Sequence, residues 1–287
     1  MSKPQYLSAK IFLDSGDPAE TYAALSMLGF LDGQTTNPSL VAKNPEIIEL
    51  SNHHQLKLEI LWEKYKDITR EIHSLIPSGS VSVEVYADRS TNYENMLAQG
   101  KGLNSWFPGV FIKLPATLTG LQAARTLVSQ GMNVNITLCF SQEQAAAVHS
   151  ATKGAKLGQV YVSPFIGRLD DIGLEGLDLI KNIKSMYQEW GSHVEILGAS
   201  IRNLNHFFGC LENGADIVTC PFKVLEEWNA FGLNRDPKEF NGGTVSLKRI
   251  DRQQIEEREL EDYELHHELT EKGLEKFSKD WKSLISS

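Results

Sequence analysis

The chain has 287 residues, 41% of them hydrophobic and 23% charged, a composition typical of a globular protein that buries a sizeable core. Its 28 lysines and arginines stand against 37 aspartates and glutamates, and this net charge of −9 makes nucleic acid and anionic membranes poor partners. The sequence has no signal-peptide pattern and no run of 18 apolar residues, so we expect a cytoplasmic protein. Its three cysteines, Cys139, Cys210 and Cys220, have no C-x-x-C spacing, and we expect them to be reduced.

Short apolar segments rich in β-branched residues recur along the chain, and most are followed by a helical pattern. Several are almost continuously apolar, which is typical of parallel strands covered by helices. The predicted strands cover residues 10–15, 33–38, 81–87, 110–115, 133–140, 159–165, 194–200 and 216–221.

The helices between these strands carry start and stop signals. Asp-Pro at 17–18 and Asn-Pro at 44–45 each predict a capped start, the second opening an amphipathic stretch to about residue 75. Capping-box patterns begin at Thr91, Thr119 and Ser141. Glycines at predicted helix ends are Gly100, Gly131 and Gly214. Further helices are predicted over 174–190, 203–213 and 222–228.

Eight strands alternating with helices predict a (β/α)8 TIM barrel. A doubly wound open sheet is the alternative, but no G-x-G-x-x-G follows the first strand. We expect a single domain over 1–287, in which residues 229–287 form a C-terminal loop and helical extension. The amphipathic pattern of the last helix needs a surface to cover, either its own barrel or a neighbouring subunit, so a homo-oligomer remains open.

Polar side chains stand at the carboxyl ends of seven predicted strands, where barrel enzymes carry their active sites. Each residue singly has an ordinary structural explanation, such as a helix cap or a buried ion pair. Because all of them fall at the same end of the barrel, together they predict one site. The residues are Asp14, Thr35, Thr36, Asn37, Glu84, Lys113, Asn135, Thr137, Ser163, Phe165, Arg168, Ser200 and Arg202.

The residue types in this set indicate a reaction class. Lys113 lies in an apolar run, where burial favours the neutral amine that forms Schiff bases with carbonyl compounds. Glu84 and Thr137 can transfer protons through a water, and Asp14 can take a proton from a substrate hydroxyl.

The remaining polar residues suit a phosphorylated sugar. Asn37, Asn135 and Ser163 suit hydrogen bonding to a polyol. Arg168 and Arg202 follow strands six and seven, close to where barrels often bind phosphate. The set predicts a Schiff-base aldolase or aldol transferase acting on a sugar phosphate.

Five motifs, in order, resemble the transaldolase and fructose-6-phosphate aldolase superfamily. They are DGQTTNPSL at 32–40, FIKLPAT at 111–117, NVNITLCF at 133–140, VSPFIGR at 162–168 and LGASIRN at 197–203. The resemblance covers about residues 12–222 and implies a (β/α)8 barrel with class I aldol chemistry, without a metal or other cofactor.

The resemblance also implies a role for each site residue. Lys113 becomes the Schiff-base lysine, Asp14 the acid/base at the C4 hydroxyl, and Glu84 with Thr137 the pair that holds the catalytic water. Substrate contacts are implied for Asn37, Asn135, Ser163 and Ser200, and phosphate contacts for Arg168 and Arg202. The implied reaction moves a dihydroxyacetone unit from sedoheptulose 7-phosphate or fructose 6-phosphate to glyceraldehyde 3-phosphate or erythrose 4-phosphate, in the non-oxidative pentose phosphate pathway.

Fructose-6-phosphate aldolase, which releases free dihydroxyacetone, is the alternative within the superfamily. Its C-terminal helix is similar to LEKFSKDW at 274–281, whereas the segment after Trp228 departs from the common transaldolase pattern. Glu84 and Phe165 favour transaldolase, because the aldolase carries glutamine and tyrosine at these positions.

Two other functional classes fit the same fold less well. A non-enzymatic sugar-phosphate sensor should have lost Lys113, Glu84 or Asp14, and all three are present. A metal-dependent aldolase would need ligands on one face, but the histidine pairs at 53–54 and 266–267 are adjacent in sequence and lie away from strand ends.

Overall fold

The computed structural model describes residues 3–53, 56–243 and 246–285. Eight parallel strands close into a barrel in sequence order, and the last strand pairs with the first at Lys10↔Ile217. The (β/α)8 prediction is therefore confirmed, and the open-sheet alternative is wrong because the sheet has no free edge. The strands are β1 Lys10–Asp14, β2 Gly33–Thr35, β3 Ser80–Glu84, β4 Phe111–Pro115, β5 Asn133–Cys139, β6 Val160–Pro164, β7 Glu195–Gly198 and β8 Ile217–Cys220.

Helices surround this barrel and pack their apolar faces on the strands. They are α1 Pro18–Leu28, α2 Pro38–Val41, α3 Pro45–His53, α4 Leu58–Leu75, α5 Tyr93–Asn104, α6 Leu118–Ser129, α7 Gln142–Ala151, α8 Ile166–Asp170, α9 Gly176–Trp190, α10 Leu204–Glu212, α11 Phe222–Phe231 and α12 Glu268–Lys282. Two 3₁₀ turns, Pro237–Glu239 and Leu260–Asp262, lie between α11 and α12. No helix within the described ranges is both long and apolar enough to cross a membrane.

Most helices start at or near the residues that the capping patterns predicted, with some differences. Ser141 caps α7 as predicted, accepting from the Gln144 N–H at 3.1 Å. The caps of α5 and α6 are instead Asn92 and Thr117, each one or two residues from the predicted position. The predicted 44–75 helix is two helices, α3 and α4, and the predicted strand at 33–38 ends early because α2 starts at Pro38.

Gly100 does not end a helix, as its sequence context suggested, but lies inside α5. A Cβ at this position would lie 2.7 Å from Leu127 Cδ1, so the glycine allows α5 to pack closely on α6. Gly131 and Gly214 follow α6 and α10 as predicted, with φ of +82° and +83°.

The described stretch 246–259, between α11 and α12, contains no helix and passes along the outer helices α7 and α9. Side-chain amides of the barrel helices satisfy its backbone carbonyls: Asn182 donates to Ile250 O at 2.8 Å and Gln142 to Asp251 O at 2.9 Å. This path brings α12 across the carboxyl ends of the strands, where it contacts α2 and β5.

Candidate active site

A cavity of about 600 Å³ opens at the carboxyl ends of the strands. Strand ends, α2, α8 and α12 all contribute to its wall. The predicted site residues that line it are Asp14, Thr35, Asn37, Lys113, Ser163, Phe165, Arg168, Ser200 and Arg202. Glu84, Asn135 and Thr137 are buried among the adjoining strand residues, so the structure brings the predicted set together around one depression.

Lys113 lies near the centre of the barrel mouth, with only 3% of its surface exposed. Its Nζ is 3.0 Å from Glu84 Oε2, and it also donates to the Thr36 carbonyl at 3.4 Å. Strand pairing explains this placement, because Glu84 and Lys113 are register partners on β3 and β4, and Lys113 pairs in turn with Asn135 on β5. The strand register therefore places the Lys113 amine against the Glu84 carboxylate.

The two acids near Lys113 both have raised pKa values. Burial raises the pKa of the Glu84 carboxyl, and the Asp14 charge raises it further, while the Lys113 ammonium opposes the shift. Burial also raises the pKa of Asp14, with the Lys113 charge and the Thr35 hydroxyl acting in the opposite direction. Carboxyl groups shifted in this direction are suited to accept and return protons near neutral pH.

Two buried polar atoms beside the lysine have no hydrogen-bond partner among the residues that the structure describes. They are Glu84 Oε2 and Thr137 Oγ1. The Glu84 oxygen is within ion-pair distance of Lys113 Nζ, but the contact does not have hydrogen-bond angles. Unpaired buried acceptors are costly unless a water or a ligand satisfies them, so both atoms are available to a small hydrogen-bonding group.

A chain of hydrogen bonds behind Glu84 includes a residue that the sequence did not indicate. The Glu84 N–H donates to Tyr65 Oη at 3.0 Å, and Tyr65 and Thr36 share a hydrogen bond of 2.7 Å. The Thr36 hydroxyl donates onward to Ser82 O at 2.8 Å, so the tyrosine proton points to Thr36. Tyr65 is on α4 and is distant in sequence from any strand end. No local sequence motif identifies it. The chain fixes the ends of β2 and β3 relative to each other.

The amide and hydroxyl groups of the predicted polyol site already form hydrogen bonds within the protein. Ser163 donates to Asn135 Oδ1 at 2.7 Å, and Asn135 Nδ2 donates to Ser82 Oγ at 3.1 Å. Asn37 Oδ1 caps α2 by accepting from the Leu40 N–H at 3.0 Å. These contacts fix the orientation of the three side chains before any substrate binds.

The two arginines are held in different ways. Arg202 donates to Asp171 Oδ2 at 2.8 Å, and both side chains are at least half exposed. The Arg168 guanidinium instead lies over the ring of Phe165 at 5.2 Å, and its pKa is lowered by burial and by the nearby Arg202 charge. Ser200, which also lines the cavity, has a left-handed backbone with φ of +59°.

Sequence reasoning missed a group of lysines at the cavity opening. They are Lys43, which follows α2, and Lys272 and Lys276, which lie on α12. With the two arginines, these cations surround the opening of a cavity in an otherwise acidic protein. No local signal could identify the pair on α12, because only the path of the preceding segment brings that helix over the barrel.

His266 and His267 make local contacts at the start of α12. His267 caps α12 by accepting from the Leu269 N–H at 3.2 Å, and the exposed His266 Nδ1 lies 3.0 Å from Glu271 Oε1. No cluster of three potential metal ligands occurs within residues 3–53, 56–243 and 246–285. The other pair weighed above lies outside what is described here, since His54 and the side chain of His53 are not included.

Comparisons with known proteins identify the family to which the chain belongs. The family model for Transaldolase/Fructose-6-phosphate aldolase matches residues 11–287. The chain is 36% identical over 272 residues to a probable transaldolase of Cereibacter sphaeroides, covering 95% of both chains. It is 37% identical over 272 residues to a probable transaldolase of Caulobacter sp., covering 95% of this chain and 96% of the relative. This chain therefore belongs to the transaldolase and fructose-6-phosphate aldolase family.

Proposed function

We propose that the protein is a transaldolase, which moves a dihydroxyacetone unit from a ketose phosphate to an aldose phosphate through a Schiff base on Lys113. The single observation that carries this proposal is the buried Lys113–Glu84 pair at 3.0 Å, whose lysine lines the same cavity as Asp14 and two arginines. Membership of the family and the similarity to probable transaldolases support it.

The first half of the proposed reaction forms the Schiff base. Glu84 takes a proton from the Lys113 ammonium, and the free amine attacks the C2 carbonyl of the ketose. The carbinolamine then loses its hydroxyl as water, with Glu84 and Thr137 returning the proton through a bound water. Thr137 Oγ1 and Glu84 Oε2 support this assignment, because neither has a hydrogen bond among the described residues and Glu84 Oε2 has only its ion-pair contact with Lys113.

The second half breaks and remakes a carbon–carbon bond. Asp14 accepts the proton of the C4 hydroxyl as the C3–C4 bond breaks, and the aldose product leaves. The bonding electrons pass to the iminium and give an enamine, which attacks the acceptor aldehyde while Asp14 returns the proton. Thr35, which donates to Asp14 Oδ1 at 2.6 Å, orients this carboxylate.

We infer the remaining substrate contacts from the cavity wall. Asn37, Asn135, Ser163 and Ser200 bind the hydroxyl groups of the sugar, and Arg168 and Arg202 bind its phosphate. The proposed donors are sedoheptulose 7-phosphate and fructose 6-phosphate, with glyceraldehyde 3-phosphate and erythrose 4-phosphate as acceptors. This reaction places the protein in the non-oxidative pentose phosphate pathway, and we propose a cytoplasmic location and a site that requires no metal or other cofactor.

The acceptor dependence of turnover tests this proposal. We expect the protein to consume fructose 6-phosphate steadily when erythrose 4-phosphate is present as acceptor, with sedoheptulose 7-phosphate and glyceraldehyde 3-phosphate as products. Without an acceptor, consumption should stop after about one equivalent, because the enamine has no partner. Steady release of free dihydroxyacetone without acceptor would identify a fructose-6-phosphate aldolase instead. Full activity in excess chelator is expected as well, and loss of activity would favour a metal-dependent reaction.

Replacing Arg202 by alanine tests the phosphate assignment. Loss of a charge-assisted hydrogen bond to phosphate should raise KM for fructose 6-phosphate roughly 10- to 100-fold. Kinetics with unphosphorylated fructose should change little. Folding stability should be nearly unchanged, because the Arg202–Asp171 pair is well exposed.

Arg235→Ala is a matched control for this substitution, since it removes another exposed arginine–carboxylate pair, with Glu239, that does not line the cavity. Steady-state kinetics of both variants with both sugars give the comparison. An equal loss with fructose and fructose 6-phosphate in Arg202→Ala would contradict the assignment.

A further inference from the structure

We propose that α12 is part of the substrate site, and that Phe277 and Gly273 are positioning residues that hold the guanidinium of Arg168 for the substrate phosphate. This inference rests on the proposed function and extends it to the C-terminal extension. Phe277 and two lysines of α12 line the same cavity as Lys113.

The first observation is the way in which Arg168 is held. Its guanidinium carbon lies 5.2 Å from the ring centre of Phe165 and 5.4 Å from that of Phe277. Among the described residues it forms neither a hydrogen bond nor an ion pair, whereas Arg202 is bound by Asp171. Contact with two aromatic rings restricts the plane of a guanidinium and leaves the N–H donors along its edge free. Arg168 is therefore fixed in place but unpaired, as a ligand-binding cation should be.

The second observation concerns Gly273, one turn before Phe277. A Cβ at this position would lie 2.8 Å from Arg168 Nη1 and 2.5 Å from Leu138 Cδ2. Glycine inside a helix is unfavourable compared with alanine, so its presence in α12 needs a reason in the surroundings. The close approach of Leu138 and of the Arg168 guanidinium supplies that reason, because a side chain at 273 would push both of them away from α12.

The third observation is that α12 is itself firmly attached to the barrel. The Thr270 hydroxyl donates to the Leu138 carbonyl at 2.9 Å and accepts from Gln144 Nε2 at 2.9 Å. Near the other end of the helix, Trp281 is 1% exposed. Leu138 has a left-handed φ of +56° and follows Thr137 directly, so the same helix braces the strand end that carries a proposed catalytic hydroxyl.

An ordinary packing role for Phe277 predicts a different result from a positioning role. The ring is 5% exposed, and a purely structural residue would affect folding alone. Phe277→Leu keeps an apolar side chain but removes the aromatic face, while Phe277→Tyr keeps the face. Gly273→Ala is expected to displace Arg168 and Leu138 with little cost to folding, because the three atoms that its Cβ would meet are ends of these two side chains.

The experiment compares steady-state kinetics of the full-length variants with fructose 6-phosphate and with fructose. For Phe277→Leu and Gly273→Ala we expect KM for fructose 6-phosphate to rise roughly 3- to 30-fold, the factor given by loss of one partly desolvated cation–π contact. Kinetics with fructose should stay within about twofold of the original protein, and Phe277→Tyr should restore most of the phosphate preference.

Leu274→Ala is the matched control, since Leu274 is a buried α12 residue that does not line the cavity. It should lower Tm without changing the ratio of KM values for the two sugars. An unchanged KM for fructose 6-phosphate in Phe277→Leu and Gly273→Ala, or an equal change with fructose, would overturn the proposal.

Calorimetric titration with inorganic phosphate separates this proposal from the proposed function. If the original protein turns over no ketose phosphate, the proposed function is wrong, yet the positioning role still predicts weaker phosphate binding in Phe277→Leu and Gly273→Ala. Equal phosphate affinity in the original protein and both variants would contradict the positioning role by itself.

Discussion

Replacement of Lys113 by methionine is expected to abolish transfer of the three-carbon unit, with kcat/KM falling on the order of 10⁴-fold or more. Methionine fills a similar volume in the apolar strand but has no amine to form the carbinolamine. The loss should be as complete with fructose as with fructose 6-phosphate, because the lysine acts at the carbonyl and not at the phosphate.

The same substitution has a separable effect on stability. It leaves Glu84 buried without its cation. Breaking a buried pair in this way typically lowers the free energy of unfolding by about 3–5 kcal/mol. Protonation of the Glu84 carboxyl should reduce this loss. The double variant Lys113→Met/Glu84→Gln removes both charges. We expect urea unfolding to show that the double variant recovers much of the lost free energy of unfolding, while neither variant regains activity.

Borohydride reduction in the presence of fructose 6-phosphate identifies the nucleophile directly. Reduction should attach a dihydroxyacetone unit to Lys113, and mass spectrometry of the digested protein should locate it. Lys43, Lys272 and Lys276 line the same cavity and provide the internal comparison. An adduct on one of them, or an adduct that persists in Lys113→Met, would contradict the mechanism.

Asp14→Asn is expected to lower kcat roughly 10²- to 10⁴-fold, the usual contribution of a positioned acid/base group. Thr35 can still donate to Oδ1 of asparagine, so the geometry should be retained. Schiff-base formation does not require Asp14 in the proposed mechanism. Borohydride should therefore still trap an adduct of the intact ketose phosphate on Lys113, and failure to form any adduct would assign Asp14 to an earlier step.

Asp14→Asn should raise the stability of the fold at neutral pH although it lowers kcat. Burial raises the pKa of Asp14, so the folded state binds this proton more tightly than the unfolded chain does. The stability that this proton contributes is fully present below the pKa of the unfolded chain. It is lost as pH rises through the pKa of the folded state. At pH 7 the asparagine variant should therefore be more stable than the original protein, and its advantage should shrink towards acid pH.

Asp216→Asn is a useful contrast, because Asp216 lies just before β8, at the opposite end of the barrel. It accepts from Lys184 Nζ at 2.7 Å and from the Ile196 N–H at 2.9 Å. Its replacement should reduce stability and leave kcat within a few-fold. Urea unfolding between pH 5 and 8 checks both variants, and a less stable Asp14→Asn at pH 7 would contradict the argument from burial.

Much of the strand-end site was predictable from the sequence, because its placement depends on local pattern and parallel pairing. Once eight strands alternate with helices, consecutive strand ends must meet at one face of the barrel. Glu84, Lys113 and Asn135 therefore become neighbours by register alone. The roles assigned to these side chains remain predictions, but their proximity follows from the order of elements in the chain.

The tertiary structure decided the features that depend on contacts distant in sequence. Tyr65 reaches Glu84 only because α4 packs beside β3, and Gly100 proved to be a packing position where its sequence context suggested a helix end. The position of α12 was likewise undetermined, since its amphipathic pattern specifies an apolar face but not the surface that it covers.

The amino-acid sequence by itself therefore determined the barrel and the residues around Lys113, because strand period, helix caps and strand order are properties of neighbouring residues. The outer wall of the cavity was decided only by the folded chain. Phe277 lies beside Arg168 because side-chain amides of α7 and α9 bind the backbone of the preceding segment and direct α12 across the barrel mouth. The two amide contacts join residues 109 and 68 positions apart, and no local period or cap encodes them.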